Sequence, residues 1–147
     1  FHPMGLRGIG GGLDSGYGTM SLPDYCKQAN EETLLAVMIE DRQAVACINE
    51  IASVEGVDLL FIGPGDLSQS YEVTGEINHP VMDEAVRKVA AAAKAHGKFW
   101  GSVRGDDAYF KKLLDNGAQW VNVLNDTGAL FSGYRAAMDN FNQARGK

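Results

Sequence analysis

An α/β fold of alternating strands and helices is what this sequence predicts, and three observations predict it. Short apolar runs recur four times: Leu35–Ile39, Leu59–Ile62, Phe99–Val103 and Gln119–Leu124. Each run is followed by a segment whose apolar residues repeat at helical spacing. The first two runs end at or near an acidic residue, Glu40 and Asp66, one strand–helix repeat apart. Successive βα units with apolar strands require parallel pairing and right-handed crossovers, so the sheet is covered by helices. Four strands suit either a small open sheet or half of a (β/α)₈ barrel. The half-barrel places both acids at the carboxyl ends of neighbouring strands, the face on which barrel enzymes build their sites.

The elements follow in order. Residues 1–20 read as a loop, because Gly5, Gly8, Gly10, Gly11, Gly12, Gly16 and Gly18 work against any regular element. Gly8-Ile9-Gly10-Gly11-Gly12 lacks both a preceding strand and the Lys-Ser/Thr of a phosphate loop, so an active-site lid, a subunit-contact loop or a plain surface loop are its readings. Residues 21–147 read as one domain of four βα units. Leu22 to Asn30 is a short helix, and Leu35–Ile39 a buried strand ending at Glu40. Ala44, Val45, Ile48, Ile51, Ala52 and Val54 mark one helix that runs to Gly56.

Next, Leu59, Leu60, Phe61 and Ile62 form a buried strand that must stop at Gly63-Pro64-Gly65, since proline offers no N–H and glycine readily turns. Asp66 then either caps a turn or short helix, or presents its carboxylate to a cation beside amides that suit an anion. His79 caps the helix opened by Pro80, whose inner face is Val81, Ala85, Val89 and Ala92 up to Gly97. A strand at Phe99–Val103, a helix from Asp106 to Asn116, a strand at Gln119–Leu124 and a helix from Thr127 to Arg145 complete the chain. His2 reads as a loop residue and His96 as an exposed helix end.

Composition excludes several classes. A hydrophobic fraction of 45% in 147 residues suits one globular core rather than a disordered tail. Thirteen basic against nineteen acidic side chains give a net charge of −6 with no basic cluster, which argues against nucleic acid. Cys26 and Cys47 have no metal-ligand spacing and read as buried thiols of a reducing compartment. No apolar run is long enough to span a membrane, which favours the cytoplasm. The start at Phe1 rather than Met suggests a fragment or a processed product.

A pair of strand-end acids about 4.8 Å apart between neighbouring strands suits an oxygen-liganded divalent cation; the alternative is that Glu40 caps its strand and pairs with Arg42. The chain as a whole resembles the HpcH/HpaI aldolases, metal-dependent pyruvate aldolases with a (β/α)₈ TIM barrel. The resemblance rests on Pro3-Met4-Gly5-Leu6-Arg7-Gly8, Tyr25-Cys26-Lys27-Gln28-Ala29-Asn30, Ile39-Glu40, Val54-Glu55-Gly56-Val57-Asp58, Phe61–Ser68 and His79-Pro80. It implies the C-terminal half of the barrel, with Glu40 and Asp66 binding Mg²⁺, Mn²⁺ or Co²⁺. It implies that the carboxylate of a 2-oxo acid, pyruvate or oxaloacetate, meets backbone amides near Gly65 and Asp66. The implied reaction is reversible aldol cleavage of a 2-oxo-hydroxy acid to pyruvate and an aldehyde. Oxaloacetate decarboxylation, macrophomate-synthase-like chemistry and an inactive half-barrel serving as an assembly module are its alternatives.

The family's substrate-binding Arg and its His-Asp proton-transfer pair fall on earlier strands that this chain does not contain. The resemblance further implies a homo-oligomer in which the last helix is exchanged, with Leu130, Phe131, Tyr134, Ala137, Met138 and Phe141 as its apolar stripe. Trp100 is larger than the resemblance leads one to expect in its strand, and Leu124 stands near its strand's carboxyl end where relatives often carry glycine; the sequence leaves their effect on the pocket open.

Overall fold

A computed structural model describes residues 1–146. They form two compact units, divided between Leu35 and Ala36.

In the first unit the glycine-rich segment is not wholly irregular: Leu13–Gly18 forms a 3₁₀ turn. Ser15 closes it, accepting from the Gly12 N–H at 3.1 Å and donating to the Gly12 carbonyl at 3.0 Å. Gly16, at φ 58°, takes the left-handed conformation that the turn needs. Helix α1, Leu22–Glu32, begins at Ser21, which accepts from the Asp24 amide. It belongs with the loop rather than with the βα units. The Phe1 ring meets Tyr25 edge-on at 5.2 Å, the Phe1 ammonium donates to Asn30 at 2.7 Å, and the Tyr25 hydroxyl donates to Asp14 at 2.6 Å. That bond is the main cause holding the Asp14 carboxyl below its ordinary value.

The second unit is a parallel sheet in the order β1-β2-β3-β4, with β1 Ala36–Ile39, β2 Leu59–Ile62, β3 Phe99–Val103 and β4 Trp120–Asn122. Its helices are α2 Arg42–Ala46, α3 Ile48–Ser53, α4 Pro64–Ser70, α5 Pro80–Ala95, α6 Asp107–Asp115 and α7 Asp126–Ala144. Four consecutive parallel βα units are half of a (β/α)₈ barrel.

Register fixes which residues share a face. Val37, Leu60 and Trp100 lie in one row, and Ile39, Ile62, Ser102 and Val121 in another. These rows face the helices, where Leu60, Ile62 and Trp100 pack in one cluster with Met82, Val86 and Val89 of α5. The opposite face carries Met38, Phe61, Gly101 and Trp120 in one row and Ala36, Leu59 and Phe99 in the next.

Several expectations need correction. β1 is a sheet edge, and of its residues only Ile39 is buried, because no strand lies on its outer side. The helix expected over 44–54 breaks at Cys47 (φ −97°, ψ 18°) into α2 and α3. Cys47 is therefore exposed, and Cys26 is half-buried; neither thiol is in a disulfide. The inner face of α5 also includes Met82, Val86 and Ala93, with Val81 only partly covered. His79 does cap α5, its Nδ1 accepting from the Val81 amide at 3.3 Å. Among the described residues no helix is long and apolar enough to cross a membrane.

Candidate metal and oxo-acid site

Glu40 and Asp66 are carried by the chain leaving β1 and β2. Ile39 pairs with Ile62, and the ladder runs one step further, the Gly63 N–H donating to the Ile39 carbonyl at 3.2 Å. Glu40 and Gly63 are thereby neighbours. The Glu40 side chain lies across Gly63: a Cβ built there would stand 3.1 Å from Glu40 Cβ and 3.2 Å from its Oε2. Glycine at 63 thus leaves the volume that the half-buried Glu40 carboxylate uses.

Pro64 then starts helix α4 at its first position, where its missing N–H costs nothing. The intrahelical ladder begins with Leu67, which donates to the Gly63 carbonyl at 2.9 Å. The amides of Gly65 and Asp66 therefore have no partner within the helix. Gly65 is exposed, with open space where a Cβ would stand. Asp66 is exposed in the same first turn, so it is a helix residue and not merely a turn residue. Buried Ser68 ties this turn down, donating to the Gly65 carbonyl at 2.7 Å and accepting from the Gly75 amide at 2.9 Å.

Among the described residues, neither Glu40 nor Asp66 has an ion-pair partner. Arg42, the expected alternative partner of Glu40, instead approaches Glu72 at 3.6 Å. Carboxylates without an ion-pair partner, one just past β1 and one in the first turn after β2, are oxygen donors of the kind that fits hard cations such as Mg²⁺ or Mn²⁺. Among the described residues no group of three or more His, Cys, Asp or Glu could hold a metal ion.

Sequence reasoning missed two residues that position this site. Ser68 is one. The other is Ser102, fully buried in β3, which donates to the Ile62 carbonyl at 2.9 Å and lies 3.3 Å from the Tyr109 hydroxyl. The available signal was a serine inside an apolar strand, which must find a partner when buried. Burial pushes the Tyr109 phenol up, with the Ser102 bond opposing it.

Register turns Trp100 onto the helix face, where it is buried in the core. Leu124 is exposed on the rim of a cavity of about 300 Å³ beyond the ends of β3 and β4. Of the histidines, His79 serves its cap, and His2 and His96 are exposed.

Residues 2–132 match the model of the HpcH/HpaI aldolase/citrate lyase family. This chain belongs to that family. It is 35% identical over 141 residues to a 4-hydroxy-2-oxo-heptane-1,7-dioate aldolase of Salmonella paratyphi B, covering 96% of this chain and 54% of the relative. It is 34% identical over 142 residues to a 5-keto-4-deoxy-D-glucarate aldolase of Enterobacter sp. (strain 638), covering 96% of this chain and 55% of that protein. The crystal structure of an HpcH/HpaI aldolase from Desulfitobacterium hafniense DCB-2 superposes with a TM-score of 0.81 at 29% identity, over 97% of this chain and 55% of that one. The chain therefore spans about half the length of the family members it matches.

Proposed function

We propose that this chain carries the cation-binding part of a pyruvate-type aldolase site, serving reversible cleavage of a 2-oxo-hydroxy acid to pyruvate and an aldehyde. The observation that carries this reading is that Glu40, without a cationic partner, lies across Gly63, directly before the helical turn that holds Asp66 and the amides of Gly65 and Asp66, which have no partner within the helix. Glu40 and Asp66 would hold the divalent cation, which when bound supplies Lewis-acid polarisation of the substrate's 2-oxo group. The Gly65 and Asp66 amides receive the adjacent carboxylate, helped by the positive end of α4. Gly65 lets that group approach the backbone, and Pro64 fixes the turn from which both amides project.

The relatives' activities support carbon–carbon bond cleavage in hydroxy-oxo diacids as the reaction class. Self-association is part of the same reading. Helix α7 buries none of its residues, and Leu130, Phe131, Tyr134, Met138 and Phe141 are exposed along it, which suits exchange of this helix between copies.

The test is a Mn²⁺ titration followed by EPR, comparing the chain with Glu40→Gln, with near-UV dichroism of Trp100 and Trp120 as the check on folding. Binding that weakens at least about ten-fold in the variant is expected, since one of two anionic ligands is lost. Equal binding by two folded proteins would refute the assignment.

A further inference from the structure

Side chains two residues apart along a strand leave it on the same side, so Met38 and Glu40 are successive projections from the carboxyl end of β1. Register sets Met38 opposite Phe61, and Gly63 continues the Phe61 side of β2 past the strand end. Gly63 has no side chain of its own, and both neighbours lean over it. Met38 Cε lies 3.5 Å, and Glu40 Oε2 3.2 Å, from the point that a Cβ on Gly63 would occupy. The thioether methyl and the carboxylate oxygen therefore flank the same small volume.

The Met38 side chain is not spent on the core. It is 54% exposed, whereas Phe61 beside it is buried, and it takes no part in the cluster that packs the sheet against the helices. Methionine is unbranched, with a polarisable thioether, so its tip follows the shape of what it meets. It offers no hydrogen-bond donor and only a weak acceptor.

A 2-oxo acid has three parts to place. On the aldolase reading, on which this inference rests, its carboxylate goes to the Gly65 and Asp66 amides and its oxo oxygen to the cation. The group on C3 remains, and the surface beside Glu40 that matches a hydrocarbon is the Met38 methyl. We infer that Met38 is a specificity-determining residue: its methyl packs against C3 and selects a 2-oxo acid whose C3 is a plain methyl, as in pyruvate, over one that carries a hydroxyl there. A hydroxyl pressed against this methyl gives up its water and gains no partner.

The experiment has two readouts. The methionine methyls are labelled with ¹³C, and the Mg²⁺-loaded chain is titrated with pyruvate, the Met38 signal being the one that Met38→Leu removes. Calorimetry with Mn²⁺ present then gives the affinities for pyruvate and for 3-hydroxypyruvate. Pyruvate is expected to shift the Met38 methyl and to bind at least about ten-fold more tightly than hydroxypyruvate. Met38→Gln, whose amide has both a donor and an acceptor for the hydroxyl, should bring the two affinities together. Met38→Leu, apolar and close in volume, should keep them apart.

A Met38 methyl that pyruvate leaves unmoved, equal affinity for the two acids, or a preference that survives Met38→Gln overturns the inference. The methyl shift is read on the unaltered chain, so the outcome does not depend on the folding of a variant. Mn²⁺ and pyruvate bound without the preference overturn the role of Met38 and leave the aldolase reading standing. A folded chain that binds neither removes the aldolase reading, and the role of Met38 with it.

Discussion

Gly101 lacks a side chain because Trp120 is in the way: a Cβ there would stand 1.8 Å from the Trp120 carbonyl oxygen. Gly101→Ala must push β4 off β3, and we expect a loss of about 3 kcal/mol or more, read from the urea midpoint and from faster amide exchange at Val121. Ser102 acts through hydrogen bonds instead. Ser102→Ala removes the hydroxyl's bond to the Ile62 carbonyl and should cost about 1 kcal/mol by the same measurement. Tyr109 adds a pH signature. Its folded-state pKa is raised by burial, so its contribution is complete below the ordinary tyrosine value of about 10 and is lost as pH rises through the raised value. Tyr109→Phe should flatten the alkaline fall in denaturant midpoint; an unchanged slope would show that another group causes it. The sequence signalled that Ser102 needs a partner, but not which one. A glycine, a serine and a tyrosine in sequence do not say which neighbour fills the space beside them.

At the scale of elements, caps were legible and breaks were not. Pro80 behind His79 announced the start of α5, and Asp106 that of α6, because a cap is a bond between residues close in sequence. Asp106 accepts from the Tyr109 amide and from Asn78, both at 2.8 Å, and the Tyr109 amide is the larger cause that depresses its carboxyl. A depressed carboxylate stabilises the fold at neutral pH and loses that contribution as pH falls through its folded value. Asp106→Asn keeps a capping oxygen but cannot titrate, so thermal melts should show a shallower fall below about pH 4. The break at Cys47 escaped notice because the apolar residues on either side keep one helical spacing, and periodicity is insensitive to a single irregular residue. The apolar run of β1 likewise predicted burial, yet burial is decided by the strand on its outer side, which no local pattern encodes.

For the molecule as a whole, the sheet face away from the helices dominates. Met38, Phe99 and Trp120 are 54%, 55% and 48% exposed there, although parallel sheets are ordinarily covered on both faces. A face of this kind, with open edges at β1 and β4, favours association. The chain should sediment as a concentration-dependent oligomer, and Phe99→Lys with Trp120→Lys should shift it toward monomer with little change in far-UV dichroism. If association persists, the exposed α7 stripe carries it.

The sequence by itself determined the order of strands and helices, the turn after Ile62, the caps and the one-repeat spacing of Glu40 and Asp66. All of these depend on residues near one another in the chain, and so does the motif that places the chain in its family. The tertiary structure alone decided that Trp100 faces the helices, that Gly63 makes room for Glu40, and that Met38 leans over the same glycine. Each of these follows from strand register, which pairs residues distant in sequence and assigns every side chain to a face.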